Sequence, residues 1–329
     1  MDEPKGGRRA ALLLAVVTPV VAELTLGNPP LSQIWLLLLW IPIYGAGTVL
    51  IRELVRRRRG GWPSILLLGL AYGIVEEGLV LQALSSPTMY GAADWAPRFL
   101  GLNTAYTELN LPYHAVFSVA LPILLTDLAV PSLRERPYLK RTGLVVAAVV
   151  FVLGGLLLRV TVATSIDPGY QAPPTVLVGC VAAVVLLAVV ALRVPAGVRT
   201  QAPVPMPWAA GALGLVAGFG YLALLFPFGG ADQPAFTHGG WVAVPMVAAA
   251  LLAVVAGRLV RRWAASTAWT DRHGICLAGG ALTGHTAFGV PANAATLADK
   301  LELSALGLLM VILLALLARR RRPLSVGRP

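Results

Sequence analysis

Two adjacent glutamates, Glu76 and Glu77, lie inside the otherwise apolar stretch 62–84. An ionisable side chain at membrane depth costs about 3 kcal/mol on insertion scales, and by default it marks a functional site. A carboxyl group can serve as a general acid or base, and a carboxylate beside a histidine can bind a metal ion or activate water. The doublet is therefore the first candidate for chemistry in this chain.

Further ionisable residues lie on other apolar segments at a comparable predicted depth. They are Glu23, His114, Arg159 and His285. Because all of them fall in the predicted outer half of the membrane, we expect a shared polar site that opens outward. The catalytic candidates are the glutamate doublet and His114, whereas Glu23, Arg159 and His285 are candidates for binding a substrate or an ion.

The elements that must position these residues are membrane-spanning helices. The 329-residue chain is 57% hydrophobic and 12% charged, whereas a soluble domain carries about 25% charged residues. A span needs about 20 mostly apolar residues, and ten segments qualify: 10–27, 31–51, 62–84, 111–131, 143–162, 174–192, 208–228, 241–257, 274–290 and 303–318. We predict an all-α, polytopic transmembrane helix bundle that forms one membrane domain over residues 1–329. Small residues dominate 274–290, so a buried helix or a re-entrant segment also fits that stretch.

The basic residues orient these spans. With the N-terminus in the cytoplasm, 23 of the 26 Lys and Arg residues fall in inner segments, and the exceptions are Arg98, Arg159 and Lys300. Cytoplasmic loops carry such an excess of positive charge. The pattern predicts a multi-pass membrane protein with both termini in the cytoplasm, and it explains the net charge of +11 without a nucleic-acid partner. The excess of Arg over Lys, with spans rich in Ala, Val, Leu and Gly, indicates a bacterial plasma membrane.

Three local patterns predict further structure. Gly69 and Gly73 are four residues apart, which lets a neighbouring helix approach closely. Asp127 lies near the inner end of its span, within reach of the arginines at 134 and 136. The long extracytoplasmic loop 85–110 is rich in aromatic residues, including Trp95, and either a lid or a segment resting on the outer leaflet fits this composition.

The run Val75-Glu76-Glu77-Gly78, with His114 following 37 residues after the second glutamate, resembles the CAAX-protease and bacteriocin-processing family of intramembrane proteases. That family begins its site with a Glu-Glu doublet in a membrane helix and uses a histidine from a later helix. The resemblance implies that Glu76 activates water, and His114 corresponds to the later histidine in order and approximate spacing.

Other positions depart from that family's pattern. Leu81 stands where the family has an arginine, and Asn110 stands where it has an aromatic residue. The family also has a further histidine followed one turn later by Asn or Asp. His285 is the candidate for this histidine, but Gly289 occupies the partner position.

Three roles are compatible with these residues. The first is transport of a small solute or an ion, coupled to protons, because carboxylates and histidines in a membrane cavity relay protons or bind cations. The second is a protease-like intramembrane hydrolase, and only this role would call for a cofactor, a divalent metal ion. The third is a non-catalytic scaffold or partner subunit. The predicted partners are the lipid bilayer and a small solute or ion.

Overall fold

The computed structural model describes residues 4–91, 96–225 and 239–320. Within them the chain is mainly helical, with one short antiparallel hairpin, β1 (Arg98–Phe99) and β2 (Leu102–Asn103). The α-helices are α1 (Gly7–Ala22), α2 (Leu37–Trp40), α3 (Ala46–Arg57), α4 (Trp62–Gly73), α5 (Thr104–Tyr113), α6 (Leu121–Ala129), α7 (Arg141–Thr161), α8 (Pro174–Arg193), α9 (Pro207–Leu225), α10 (Ala243–Ala264), α11 (Asp271–Asn293) and α12 (Leu297–Arg320).

Nine helical segments of the described residues are long and apolar enough to cross a membrane. They are Gly7–Leu26, Leu31–Arg57, Trp62–Val80, Thr104–Ala129, Arg141–Ile166, Pro174–Arg193, Pro207–Leu225, Gly239–Ala264 and Leu297–Arg320. The predicted all-α, polytopic bundle is thereby confirmed. The predicted segment 274–290 lies within α11, a continuous helix of 23 residues that is less apolar than the nine.

Two helix ends around the glutamate doublet differ from the predicted bounds. The helix that carries the doublet ends at Val80, because Gln82 adopts a left-handed backbone conformation that stops it. The next helix begins at Thr104, where the Asn103 side chain accepts a hydrogen bond from the Tyr106 backbone N–H. Such an N-cap satisfies an otherwise free donor. The connection between these two helices therefore runs over 81–103 instead of the predicted 85–110, and Trp95 lies outside the described residues.

Four spans contain a turn of π-helix, in which the backbone widens by one residue per turn. The turns are Ile41–Gly45, Ile74–Val80, His114–Ala120 and Val162–Ile166. Single π-turns within α-helices occur frequently at functional sites. The second turn contains the glutamate doublet and the third begins at His114, so both predicted catalytic elements are locally irregular.

Close helix contacts rest on glycines, as the small-residue spacing predicts. A side chain at Gly69 would lie 2.7 Å from the Ala115 backbone Cα atom, and one at Gly73 would meet the Cβ atom of His114 at 3.3 Å. The α4 helix therefore packs against the π-turn that carries His114. Gly214 and Gly284 permit a similar approach between α9 and α11. Large apolar side chains of α7, α8, α10 and α12 are exposed and face the lipid.

At the predicted inner end, a buried ionic network ties α3 to α6. Both oxygens of Asp127 are paired, one with Arg52 and the other with Arg56, each at 2.8 Å. The prediction that Asp127 pairs with Arg134 or Arg136 is therefore wrong. The Arg52 guanidinium instead donates to the Arg134 and Arg136 backbone carbonyls. A fully buried guanidinium needs this dense set of acceptors to offset its desolvation.

Candidate functional site

The glutamate doublet and His114 form one contact group. The His114 Nε2 atom lies 3.2 Å from the Glu77 Oε1 atom, and its Nδ1 atom lies 3.4 Å from the Glu76 Oε2 atom. Adjacent residues on an α-helix point about 100° apart, yet both carboxylates reach the same imidazole. The widened π-turn Ile74–Val80 and the length of the glutamate side chain allow this convergence.

The group is enclosed by protein. The exposed fractions are 1% for Glu76, 5% for Glu77 and 2% for His114. Gly73, one turn before Glu77, leaves room for the imidazole, since a side chain there would press on His114. The Tyr72 hydroxyl and the Glu76 carboxylate interact with each other, and the Glu76 Oε2 atom lies 3.4 Å from the His114 Nδ1 atom. Neither this hydroxyl nor this oxygen makes a well-formed hydrogen bond among the described residues, although both are buried. Unpaired buried polar atoms are costly, so these two atoms mark where water or a reacting group is expected.

Hydroxyl groups complete the surroundings of His114. The Ser118 hydroxyl lies 2.9 Å from the His114 Nδ1 atom, and the Tyr106 hydroxyl donates a 3.0 Å hydrogen bond to the Glu77 Oε2 atom. Three tyrosine rings enclose the imidazole at centroid distances of 5.6–6.1 Å; they belong to Tyr44, Tyr72 and Tyr113. The rings fix the position of the imidazole.

Glu23 also belongs to this site. It follows α1 directly and is 8% exposed. The Tyr44 hydroxyl donates to its Oε1 atom at 2.6 Å, and the Asn28 amide donates to its Oε2 atom at 2.9 Å. Glu23 interacts electrostatically with both members of the doublet. Two carboxyl groups thus contact the imidazole of His114, and Glu23 interacts with it electrostatically. Among the described residues no lysine or arginine forms an ion pair with these three carboxyl groups.

His285 reaches the edge of the site from α11. Its Nε2 atom lies 2.9 Å from the Tyr113 hydroxyl, and its Nδ1 atom lies 3.2 Å from the Thr25 hydroxyl. Its ring stacks on Phe117 with centroids 4.3 Å apart. The Tyr113 hydroxyl also donates to the Ala22 backbone carbonyl. His285 therefore approaches His114 through Tyr113, the residue that precedes His114 in the chain.

Arg159 lies apart from the carboxylates. Its guanidinium lies 3.5 and 3.4 Å from the backbone carbonyls of Val80 and Leu81, and it donates to the Tyr170 carbonyl at 2.7 Å. These carbonyls stand at the end of the helix that carries the doublet, where backbone acceptors have no helical partner. Arg159 thus caps that helix and joins it to the loop that follows Ile166, which contains Tyr170.

The residues present do not fit a preformed metal centre. Among the described residues, no group of three or more His, Cys, Asp or Glu side chains is arranged to hold a metal ion. Both ring nitrogens of His114 already face partners, a carboxylate on one side and Ser118 on the other. A zinc ligand needs a free nitrogen lone pair directed at the metal.

The sequence did not single out Tyr44, Tyr106, Tyr113 or Thr25 as site residues, whereas Tyr72 lies one helical turn before Glu76, within hydrogen-bonding reach of it. Tyrosine is common at membrane interfaces, so its presence in spans carries no signal by itself. A usable signal was the pair Tyr113-His114, because a phenol beside a buried histidine needs a hydrogen-bond partner.

Comparison with known proteins places the chain in a family. No curated protein and no solved structure matches it. A family model described as an uncharacterized membrane protein family matches residues 12–321, which include every candidate site residue. The match spans most of the chain, so the protein belongs to this uncharacterized membrane protein family.

Proposed function

We propose that this protein is an intramembrane hydrolase that cleaves peptide bonds with a glutamate-activated water. The supporting observation is the contact of both glutamates of the doublet with His114, inside the protein. The resemblance to the CAAX-protease and bacteriocin-processing family leads to the same expectation from order and spacing. A large separation of Glu76, Glu77 and His114 would have argued against this function.

The chemistry uses a water molecule between Glu76 and the substrate carbonyl. The Glu76 Oε2 atom, which lies 3.4 Å from the His114 Nδ1 atom and makes no well-formed hydrogen bond among the described residues, accepts one proton from water, and the remaining hydroxide attacks the carbonyl carbon. The same proton then passes to the leaving amine as the C–N bond breaks. His114 holds the Glu76 carboxylate in place, while Glu77 and Ser118 fix the imidazole.

The departures from the family pattern have physical counterparts in this chain. A side chain at Gly289 would collide with the Leu26 backbone carbonyl, so the asparagine of the family has no space there. The Thr25 hydroxyl instead contacts His285 from α1. The arginine expected at position 81 is likewise absent, yet Arg159 brings a guanidinium to the carbonyl of that same residue. These contacts support a related arrangement built from different helices.

Proton-coupled transport is a second candidate, favoured by a separate observation. The buried groups form a chain from Glu23 through Tyr44, Glu76 and His114 to Glu77, and Tyr106 continues it. The Tyr106 ring stacks at 6.0 Å on Tyr90, whose side chain is exposed. Linked ionisable groups of this kind relay protons in membrane pumps and transporters. For either function we propose the plasma membrane, with both termini in the cytoplasm.

Comparison of chain ends in host membranes tests the hydrolase. Cells would express either the wild-type protein or Glu76→Gln at equal levels, and the new N- and C-termini of all membrane proteins would be quantified by mass spectrometry. We expect at least one chain end that appears in cells with the wild-type protein and is absent in cells with Glu76→Gln. The control Glu135→Gln, which changes an exposed carboxylate, should still produce that chain end. Identical chain ends for wild type and Glu76→Gln would refute the hydrolase. Dissipation of a pH gradient in liposomes by wild type but not by Glu76→Gln would then favour transport.

A further inference from the structure

Glu23 has features that a purely structural contact does not require. It is enclosed at the end of α1, and each of its oxygens accepts one hydrogen bond, from Tyr44 and from Asn28. Burial of a carboxyl group is costly unless it is paired. Among the described residues, no lysine or arginine forms an ion pair with it. An amide or an apolar side chain would join α1 to the next span at lower cost.

Tyr44 lies between Glu23 and Glu76. Its hydroxyl donates to Glu23 at 2.6 Å and also interacts with the Glu76 carboxylate. Its ring lies 6.1 Å from the His114 ring and 6.0 Å from the Tyr72 ring, so the surrounding aromatic residues hold it in this position. A phenol is both a donor and an acceptor, and it can therefore take a proton from one carboxyl group while it gives its own to another.

We propose that Glu23 is the proton-exchange partner of Glu76, with the Tyr44 hydroxyl as the bridge. When Glu76 carries the proton taken from water, that proton moves to the Tyr44 oxygen as the Tyr44 hydroxyl proton moves to the Glu23 Oε1 atom. One O–H bond breaks and one forms at Tyr44, and the net result is transfer of one proton from Glu76 to Glu23. The use of this proton in catalysis rests on the proposed function, whereas the exchange itself rests on the Tyr44–Glu23 hydrogen bond and on the electrostatic interaction of Tyr44 with Glu76.

Several titratable groups face Glu23 and set its environment. They are Tyr44, Tyr72, Glu76, Glu77, Tyr90, Tyr113 and His114. Because these groups interact with Glu23, the charge on Glu23 affects each of them. Substitution of Glu23 should therefore change the protonation of Glu76 through Tyr44, even though Glu23 and Glu76 lie on different helices.

The test measures the reactivity of the doublet in the purified full-length protein. Dicyclohexylcarbodiimide, an apolar reagent that modifies protonated carboxyl groups, would be applied over a range of pH, and labelling of Glu76 and Glu77 would be quantified by mass spectrometry. We expect Glu23→Gln and Tyr44→Phe each to move the midpoint pH of Glu76 labelling by about half a unit or more, because either change breaks the coupling. The matched control is Tyr221→Phe, which removes another largely buried phenol hydroxyl, bonded only to a backbone carbonyl.

An unchanged midpoint in Glu23→Gln, with a melting temperature close to that of wild type, would overturn the proposal. If Glu23→Gln fails to fold, Glu23→Asp and Tyr44→Phe take its place, and unchanged midpoints in both would have the same meaning. Labelling does not depend on bond cleavage. A midpoint shift together with unchanged chain ends in the host membrane would therefore reject the hydrolase and retain the proton exchange.

Discussion

Substitution of Gly69 by alanine should separate the two helices that build the site. A methyl group at this position would lie 2.7 Å from the Ala115 Cα atom, whereas carbon atoms pack at about 3.5–4.0 Å. The helices must therefore move apart by roughly 1 Å. The His114–Glu77 contact, at 3.2 Å, would then lengthen beyond hydrogen-bonding distance. Overpacking of this kind costs about 1–3 kcal/mol.

Unfolding of the purified protein in detergent measures this cost. The matched control is Gly179→Ala in α8, because a methyl group there meets no atom within 4 Å. Alanine is also the better helix former, so the control should be neutral or slightly stabilising. We expect Gly69→Ala to lower the free energy of unfolding and to change carbodiimide labelling of Glu77, and Gly179→Ala to do neither. Equal stability and equal labelling in the two variants would show that the close approach at Gly69 does not hold the site together.

Three further substitutions test other contacts by the same unfolding measurement. Asp127→Asn should lower the free energy of unfolding by about 3–5 kcal/mol because it leaves Arg52 buried without its anionic partner. Glu135→Gln, at an exposed pair, should lower it by no more than ~1 kcal/mol. Similar losses in the two variants would contradict the buried network. Thr25→Val should lower the free energy of unfolding by about 1 kcal/mol because it removes a hydrogen bond to His285. An unchanged free energy of unfolding would mean that this contact is not formed. Tyr106→Phe should leave folding within about 1.5 kcal/mol of wild type yet alter the reactivity of Glu77, its hydrogen-bond partner; unaltered labelling would exclude Tyr106 from the site.

The fold was predictable because bilayer thickness and the hydrogen-bonding needs of the backbone leave few solutions for so apolar a chain. Depth along each helix was also predictable, and it grouped Glu23, the doublet, His114 and His285, which lie together in the structure. The depth of a residue in the membrane does not say toward which neighbouring helix its side chain points. Arg159 has a comparable predicted depth, but its guanidinium caps a helix end instead of contacting the carboxylates.

The π-turns were beyond prediction from sequence for a related reason. With the regular rotation of an α-helix, Glu76 and Glu77 diverge, and the widened turn helps both carboxylates to reach one imidazole. No residue type in Ile74–Val80 signals this widening. The convergence of the two carboxylates could therefore not be predicted from their positions in the sequence.

The same reasoning explains why a comparison of sequence motifs misses part of this site. The family motif places the partner of the later histidine one turn further along the same helix. Here the Leu26 carbonyl fills the space beside Gly289, so that position cannot carry a polar partner for His285. The partner is Thr25, which lies next to Leu26 and 260 residues from His285 in the chain. The carbonyl that excludes the expected side chain and the hydroxyl that replaces it thus belong to one short helical turn, Leu24–Leu26. A larger residue at 289 would have to displace that turn, and it would remove Thr25 from His285 at the same time.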